Sequence, residues 1–211
     1  MLDSSSMPKR SYKQSCALAQ AADLIGERWS LLLIRDLLVS PRRFNDLQNS
    51  LKGIGSNLLA SRLKELESAD IVEKQPIGAG GHLYALTESG KALEPALLSL
   101  VRWGLAYGPE SETGLHHQDD WDLLALKALF RANRAGDLSV CVQFKTDEFA
   151  GWMDIRDQRV TIGLGDAAEV DILVKGTIKD LFTGSESPDR LCTPESRDNL
   201  NRFMSAFVLP A

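Results

Sequence analysis

The 211-residue sequence has no long apolar run, few cysteines and few histidines. No stretch approaches the roughly 20 apolar residues of a membrane-spanning helix, so no membrane partner is expected. The start, MLDSSSMPKR, lacks the apolar segment of a signal peptide. Cys16, Cys141 and Cys192 lie far apart and form no CxxC pair, which argues against a zinc site or a disulfide framework. These absences predict a cytoplasmic protein.

Sequence signatures of enzymes are also missing. No GxSxG, Walker or GxGxxG sequence occurs, and Cys141 has no evident histidine partner. His116 and His117 stand beside Asp119 and Asp120. Adjacent residues on one segment seldom converge on one ion, so we interpret them as solvated linker. The sequence therefore predicts no catalytic residue, no metal site and no cofactor.

Charge is divided unevenly along the chain, whose net charge is −5. Residues 1–108 contain 13 Lys and Arg against 11 Asp and Glu, a net +2, whereas residues 109–211 contain 11 against 18, a net −7. Because phosphate attracts positive charge, only the first half is suited to approach a nucleic acid.

Residues 40–86 predict two short helices followed by a hairpin. Two groups of apolar residues recur at helical intervals of three and four positions: Phe44, Leu47 and Leu51, then Leu59, Leu63 and Leu66. Gly53 and Gly55 lie between them and allow a sharp turn. Residues 71–75 and 82–86 read as two strands joined by a glycine-rich tip. Helix, turn, helix and hairpin is the order of a winged helix.

The outer face of the second helix carries no carboxylate before Glu65. Its residues donate hydrogen bonds or carry positive charge: Ser56, Asn57, Ser61, Arg62 and Lys64. Such a face can contact base edges and phosphates in the major groove of double-stranded DNA. An ordinary solvated surface and a protein-docking surface are the alternatives.

Individual roles follow from side-chain chemistry. We predict that Asn57 and Arg62 contact base edges, and that Arg43 and Lys64 contact phosphate. Two further candidates for DNA contact are Arg42, beside the start of the first helix, and His82 in the hairpin.

The flanking segments predict an N-terminal arm over residues 1–14 and helices on both sides of the winged helix. Ser15 can cap a helix that Gly26 ends, and the next helix runs from near Glu27 to Ser40-Pro41. After the hairpin, Thr87 caps a helix that continues toward Tyr107 and is kinked at Pro95. The apolar stripe over residues 88–107 predicts a homodimer formed with the twin helix or with the twin's N-terminal helix. Packing within one chain is the alternative.

Residues in every one of these elements resemble the HxlR-type winged-helix regulators. They are Cys16, Leu24-Ile25-Gly26, Trp29, Pro41, Arg43-Phe44, Leu47, Gly53-Ile54, Leu59, Leu63, Leu66-Glu67, Tyr84, Leu86-Thr87, Gly90, Leu93 and Trp103-Gly104. The resemblance covers residues 16–104 and implies a dimeric transcription factor that binds a pseudo-palindromic operator as an activator or a repressor. This chain departs from the family at Ala69-Asp70, where Asp-Gly is usual, and at Gly80-Gly81-His82, where the wing often has Pro and Arg or Lys.

Cys16 is a candidate redox sensor. It falls at the predicted start of a helix, where free N–H groups favour the thiolate. Lys13 and Arg10 lie close in sequence, and the resemblance implies that some family members are regulated this way. The alternative is a small thiol that packs against the first helix.

Beyond a linker at residues 109–119, residues 120–211 predict a second domain. A helix around Trp121 leads to a half-buried strand from Leu138 to Phe144, and residues 151–155, 160–164 and 170–175 predict three more strands, with Asp157-Gln158 as a turn. Helices follow at Ile178 and at Thr193-Pro194. The predicted fold class is therefore α+β, in two domains: an N-terminal winged helix and a sandwich with an antiparallel sheet of about four strands.

Residues 120–184 are similar to the sterol-carrier-protein-like fold, which implies a pocket for a small apolar effector. Candidate pocket residues are Phe144, Trp152, Met153, Ile162, Phe182, Phe203 and Met204. The alternative is that these side chains fill one core. The leading hypothesis is a DNA-binding regulator that senses such an effector. A lipid-binding protein whose winged helix serves dimerisation or protein docking is the second.

Overall fold

The computed structural model describes residues 11–78, 80–109, 115–183, 192–193 and 196–208. Residues 1–10 of the predicted arm, residues 110–114 of the predicted linker and Pro194 lie outside these ranges. The first half forms helices and one hairpin: α1 (Ala17–Ile25), α2 (Ser30–Val39), α3 (Phe44–Ser50), α4 (Ser56–Ser68), β1 (Val72–Ile77), β2 (Gly81–Leu86), α5 (Glu88–Lys91) and α6 (Glu94–Tyr107). Among the described residues, no helix is long and apolar enough to cross a membrane.

The winged-helix order predicted for residues 40–86 is confirmed. The apolar spacing buries one face of each helix in a common core that includes Leu33, Ile34, Leu47, Leu59, Leu63, Leu66, Ile71 and Leu86. Gly53, at φ 96°, takes the left-handed conformation in the turn between α3 and α4. The hairpin pairs β1 with β2 in antiparallel register from Val72 opposite Leu86 to Ile77 opposite Gly81.

Helix α4 ends in a left-handed turn although glycine is missing there. Asp70 has φ 56°, its N–H donates to the carbonyl of Glu67, and Ile71 N–H donates to the carbonyl of Leu66. This is the Schellman pattern, in which a left-handed residue satisfies the last free carbonyls of a helix. Asp70 thus performs the role that the family usually gives to glycine.

The predicted kink at Pro95 is wrong. Two helices replace one kinked helix, because the chain turns at Ala92 and Leu93 and Pro95 enters the first turn of α6. In that turn the missing N–H of proline costs no hydrogen bond. Thr87 caps α5 as expected, since its hydroxyl accepts from Gly90 N–H at 3.0 Å. At the other end of the unit, Cys16 and not Ser15 is the N-cap of α1.

The second half comprises two helices, a four-stranded sheet and two further helices: α7 (Asp119–Leu129), α8 (Ala132–Ala135), β3 (Val140–Lys145), β4 (Ala150–Arg156), β5 (Arg159–Leu164), β6 (Ile172–Lys175), α9 (Ile178–Thr183) and α10 (Arg197–Ser205). The strand order is β5-β4-β3-β6. Left-handed Asp157 and Gln158, at φ 50° and 58°, form the predicted turn between β4 and β5.

The sheet is not wholly antiparallel as predicted, because β6 runs parallel to β3. Residues 165–171 carry the chain from edge strand β5 across β4 and β3 to the opposite edge. The hairpin-connected strands β3, β4 and β5 remain antiparallel.

Strand β3 is buried on both faces, whereas its alternation predicted a half-buried strand. All residues from Val140 to Phe144 are buried. Val140, Val142 and Phe144 face a core that contains Leu123, Leu200 and Phe203 from the helices. The opposite face is covered by residues 165–169, which cross the sheet there and bond to Gln143. We call this second side the outer face of the sheet.

The two cores meet where α7 packs on α2 and α6. Asp120 pairs with Arg42, and Trp121 Nε1 donates to Asp36 Oδ1 at 3.0 Å. The guanidinium of Arg35 lies 3.9 Å from the ring centre of Trp121. We call these five residues the core junction.

Candidate nucleic-acid interface

Helix α4 presents the polar face that the sequence predicts. Leu59, Leu63 and Leu66 hold the opposite face in the core. Ser56, Asn57, Ser61 and Lys64 are exposed. The Ser61 hydroxyl donates to Glu65 at 3.0 Å. The first three turns therefore offer hydroxyl and amide groups and one ammonium to a ligand.

Arg62 does not join that face. Its side chain is only 16% exposed; Nη2 lies 3.2 Å from a carboxylate oxygen of Glu27, and Nη1 pairs with Glu65. These ion pairs tie α4 to the segment between α1 and α2 and occupy the donors that a guanine would need. The predicted base contact is therefore corrected to a role in positioning α4.

Arg42 is likewise unavailable to a phosphate. It is 9% exposed, its backbone bridges Tyr84 of β2, and its guanidinium bonds to Asp120 and to the carbonyl of Asp36. The prediction that it contacts DNA is wrong because its guanidinium is bound by the carboxylate of Asp120, 78 residues further along the chain. No local spacing in the sequence points to that partner.

Arg43 and His82 are exposed; His82 belongs to the wing strand β2, and Arg43 lies beside the start of that strand. Nη1 of Arg43 lies 3.5 Å from the position that a Cβ on Gly81 would occupy, so this glycine allows the arginine to approach the wing. The His82 ring meets Tyr84 edge-on at 5.0 Å. Both side chains keep nitrogen atoms on the surface.

Two exposed lysines extend the basic surface beyond the predicted set. Lys52 lies in the turn before α4, and Lys74 of β1 pairs with Glu67 at 2.9 Å. That hydrogen bond raises the pKa of Lys74, so its amine stays charged. The sequence placed Lys52 in a predicted turn and Lys74 in a predicted wing strand, and these positions could have indicated that both lysines lie near DNA.

Cys16 is exposed at the N-cap of α1. The backbone N–H groups of Ala19 and Leu18 lower the pKa of its thiol, with a small opposing effect of burial. This is the helix N-terminal effect that the sequence predicts. Arg10, which was expected to assist, lies outside the described residues. The thiol is therefore accessible and inclined to ionise.

The residues predicted to line an effector pocket mostly fill the core of the second half. Phe144, Met153 and Phe203 are fully buried. Ile162, Phe182 and Met204 pack against them. Trp152 differs because neighbouring residues of a strand face opposite sides, and it lines a cleft on the outer face of the sheet. Six of the seven side chains thus pack in one core, and the expected apolar effector site stays a prediction.

The histidines near α7 also depart from the solvated linker that was expected. His116 is half-buried and its Nε2 lies 3.1 Å from the carbonyl of Ser50. His117 Nε2 lies 3.2 Å from Asp122 and 4.0 Å from Asp119. Among the described residues these three form the one group with ligand atoms within 4.8 Å of one another. Carboxylates in the first turn of a helix are favoured by its dipole, which accounts for this arrangement without an ion.

A helix-turn-helix followed by a two-stranded wing, with a polar exposed second helix, defines a winged-helix unit of the kind that binds DNA. The HxlR-like helix-turn-helix family model matches residues 24–112. The chain belongs to this family. The match ends before α7, so the resemblance of residues 120–184 to the sterol-carrier-like fold stays a prediction.

Known relatives match the same half of the chain. Rv3095 of Mycobacterium tuberculosis, a helix-turn-helix transcriptional regulator, is 37% identical over 98 residues, which are 46% of this chain and 61% of that protein. YodB of Bacillus subtilis, also named a transcriptional regulator, is 38% identical over 88 residues, 41% of this chain and 79% of that protein. The crystal structure of quinone-bound YodB covers 41% of this chain and 93% of its own, at 37% identity and a TM-score of 0.37. The match thus spans less than two thirds of the length of the mycobacterial relative.

Proposed function

We propose that this chain is a DNA-binding transcriptional regulator that acts as a homodimer on a pseudo-palindromic operator. The observation that carries the proposal is the exposed face of α4: Ser56, Asn57, Ser61 and Lys64 are exposed there, and among the described residues only the Ser61 hydroxyl of these four bonds to a carboxylate, that of Glu65. Family membership and the names of the relatives support it.

Contacts divide by side-chain chemistry. Asn57 can bond adenine in a bidentate manner, and Ser56 and Ser61 can bond several bases. Lys64 and Arg43 attract phosphate, which sets register and affinity but conveys no sequence. His82 extends this surface along the wing.

The proposed dimer is inferred from large apolar side chains that are exposed to solvent in the single chain. Leu100, Trp103 and Tyr107 of α6 are 52%, 62% and 75% exposed and recur at helical spacing. Leu18 of α1 is 78% exposed. Large exposed apolar surfaces on helices mark protein contacts, and a two-fold pairing of α1 and α6 buries them. A dimer then presents two α4 helices to two half-sites.

Cys16 supplies a means of modulation. Its exposed, acidified thiol suits attack by oxidants or electrophiles. The relative YodB was crystallised in a quinone-bound form. Oxidation or alkylation at the start of α1 would alter a helix that the proposed dimer uses.

The second candidate, a lipid-binding protein with a winged-helix appendage, is less well supported. Six of the seven side chains expected to surround a lipid pack in one core, with the Phe144 and Phe203 rings 6.3 Å apart. Fluorescence anisotropy with the DNA upstream of the chain's own gene separates the two functions. Salt-dependent binding that exceeds binding to scrambled DNA supports the regulator, and its absence together with fatty-acid binding supports the alternative.

A further inference from the structure

The outer face of the sheet carries an open cleft of about 380 Å³. It is lined by Cys141, Trp152, Asp154 and Arg156 from β3 and β4, and by residues 166–169 of the segment that crosses to β6. Since Val142 and Met153 face the helices, the cleft is separated from the core by the sheet itself. Its volume lies within the range of small-molecule sites in proteins.

One buried glutamine holds the wall of this cleft in place. Gln143 is 2% exposed in the central strand. Its Nε2 donates to the carbonyls of Gly151 at 3.0 Å and Gly165 at 3.1 Å, and its Oε1 accepts from Ala167 N–H at 2.8 Å. A buried amide is costly unless its bonds are made, so these bonds fix residues 165–167 over the sheet. The cleft is therefore preformed.

Trp152 forms an aromatic wall that its neighbours keep in position. The indole covers Gly163, because a Cβ built there would lie 2.5 Å from the ring. The indole is half-buried. Ala167 and Ala168, which also line the cleft, are too small to fill it. A planar ligand can therefore lie against the indole.

Carboxylates outnumber cations around the cleft. Asp154, Asp166 and Glu169 line it, against Arg156 alone. Arg156 Nε lies 3.1 Å from Asp154, and Lys145 pairs with Asp166 at 2.7 Å. Among the residues that the structure describes, Glu169 has no ion-pair partner. The local charge is therefore negative.

The pKa of the Cys141 thiol reflects the same negative charge. Burial raises the pKa of Cys141, and the carboxylates of Asp154 and Asp171 raise it further, more than Arg156 lowers it. The thiol is thus neutral, and the cleft combines an aromatic wall and a neutral floor with acidic edges.

We propose that this cleft binds a planar organic cation, with its ring against Trp152 and its charge facing Glu169 and Asp154. Aromatic faces attract cations through the ring quadrupole, and carboxylates add a direct attraction. The ligand differs in charge and in location from the apolar effector that the sequence predicts. The proposal does not depend on DNA binding, so either can fail alone.

The direct test is calorimetric titration of the full chain with 1-methylquinolinium, a planar bicyclic cation. Quinoline at pH 8 and quinoline-2-carboxylate serve as neutral and anionic analogues of similar shape. We expect the cation to bind more tightly than the neutral ring and the anion to bind least. Equal binding of all three, or no binding of the cation, would overturn the proposal.

Variants locate the site. Trp152→Ala should weaken binding of 1-methylquinolinium by about tenfold or more, since it removes the aromatic wall. Glu169→Gln should weaken it by about two- to fivefold, the effect of one exposed charge pair. Glu148→Gln, at an exposed position outside the cleft, should leave it unchanged. Glu169 is at the surface, so its variant remains informative if Trp152→Ala does not fold. Equal losses in both glutamate variants would contradict the site.

Discussion

The indole Nε1 of Trp121 donates a 3.0 Å hydrogen bond to Oδ1 of Asp36, a carboxylate with 0% solvent exposure. The two residues lie on helices that contribute to different cores, α7 in the second half and α2 in the winged helix. Asp36 also accepts from Arg35 Nε at 2.8 Å and from the Ser50 hydroxyl. A buried carboxylate is tolerated only with several donors, so the second half completes the environment of a residue inside the first.

Trp121→Phe keeps an aromatic ring at this position but removes this donor. We expect the free energy of unfolding to fall by about 1–3 kcal/mol, the cost of a buried acceptor that loses a partner. Urea denaturation measures the change. Asn133→Ala, at an exposed position of α8, is the control and should change stability by less than about 0.5 kcal/mol. Equal effects of the two substitutions would show that the core junction does not stabilise the fold.

Arg42 and Arg43 are neighbours with opposite roles. Arg42→Ala leaves Asp120 buried without its cation and should destabilise the chain by about 3–5 kcal/mol. Arg43→Ala should leave stability unchanged within about 0.5 kcal/mol. It should also weaken binding to all DNA sequences alike and reduce the salt dependence by about one phosphate contact. Denaturation together with anisotropy titrations at several salt concentrations distinguishes the two. A stable Arg42→Ala variant with weakened DNA binding would reverse the assignment.

Local pattern accounts for most of the winged helix but not for its long-range partners. Apolar spacing locates α3 and α4, Gly53 locates the turn, and the alternation near Tyr84 locates the wing. The same pattern predicts DNA contact for both Arg42 and Arg43. What distinguishes them is the ion pair between Arg42 and Asp120, and Asp120 lies on a helix of the other core. Arg62 is similar, since its partner Glu27 lies 35 residues away.

In the second half, periodicity locates the strands but not their directions. The direction of β6 depends on the path of residues 165–171, which no periodicity encodes. The alternating polar residues of β3 predicted a solvated face because glutamine, which occupies position 143, is usually exposed in proteins. In the structure Gln143 is buried, because residues 165–169 cross over it and form hydrogen bonds with its side-chain amide. The sequence could not decide between a pocket and a core for a related reason: large apolar residues are required both by a cavity and by a packed core.

Asn57 and Arg62 separate base contact from helix positioning. Asn57→Ala should cost about 1–3 kcal/mol of operator affinity and relax specificity at one base pair of each half-site, with no loss of stability. Arg62→Ala should lower stability by leaving Glu27 and Glu65 without their cation, and it should weaken binding without changing sequence preference. Binding to a panel of single-base operator variants, with melting temperatures, measures both. Relaxed preference in Arg62→Ala would restore it as a base-contacting residue. Asn133→Ala, on exposed α8, is the matched control.

Cys16 should be the most reactive thiol. Its pKa is lowered, so the thiolate persists to lower pH than in an ordinary cysteine, whereas burial raises the pKa of Cys141 and Cys192. Alkylation by iodoacetamide, followed by mass spectrometry from pH 6 to 9, should modify Cys16 first at every pH. Benzoquinone should then alter operator binding by the native chain and not by Cys16→Ser. Equal alkylation of all three thiols, or quinone-indifferent binding by the native chain, would exclude sensing through Cys16.

The apolar stripe of α6 predicts the oligomeric state. Trp103→Glu places a charge at the centre of the proposed two-fold contact and should convert a dimer into a monomer in light scattering. Operator affinity should fall because two half-sites are no longer bound together. Glu88→Lys, on exposed α5, changes charge outside the stripe and should remain dimeric. A native chain that is monomeric at micromolar concentration would contradict this interface.

The central claim is that α4 binds specific double-stranded DNA as part of a symmetric dimer. Selection of bound sequences from random duplexes by the full chain tests it directly, because random duplexes assume no operator sequence. We predict enrichment of an inverted repeat whose half-site centres lie one helical turn or a multiple apart. Asn57→Ala should lose preference at one position in each half-site. Recovery of unenriched sequences by the native chain, or of a repeat whose preferences are unchanged in Asn57→Ala, would contradict the account.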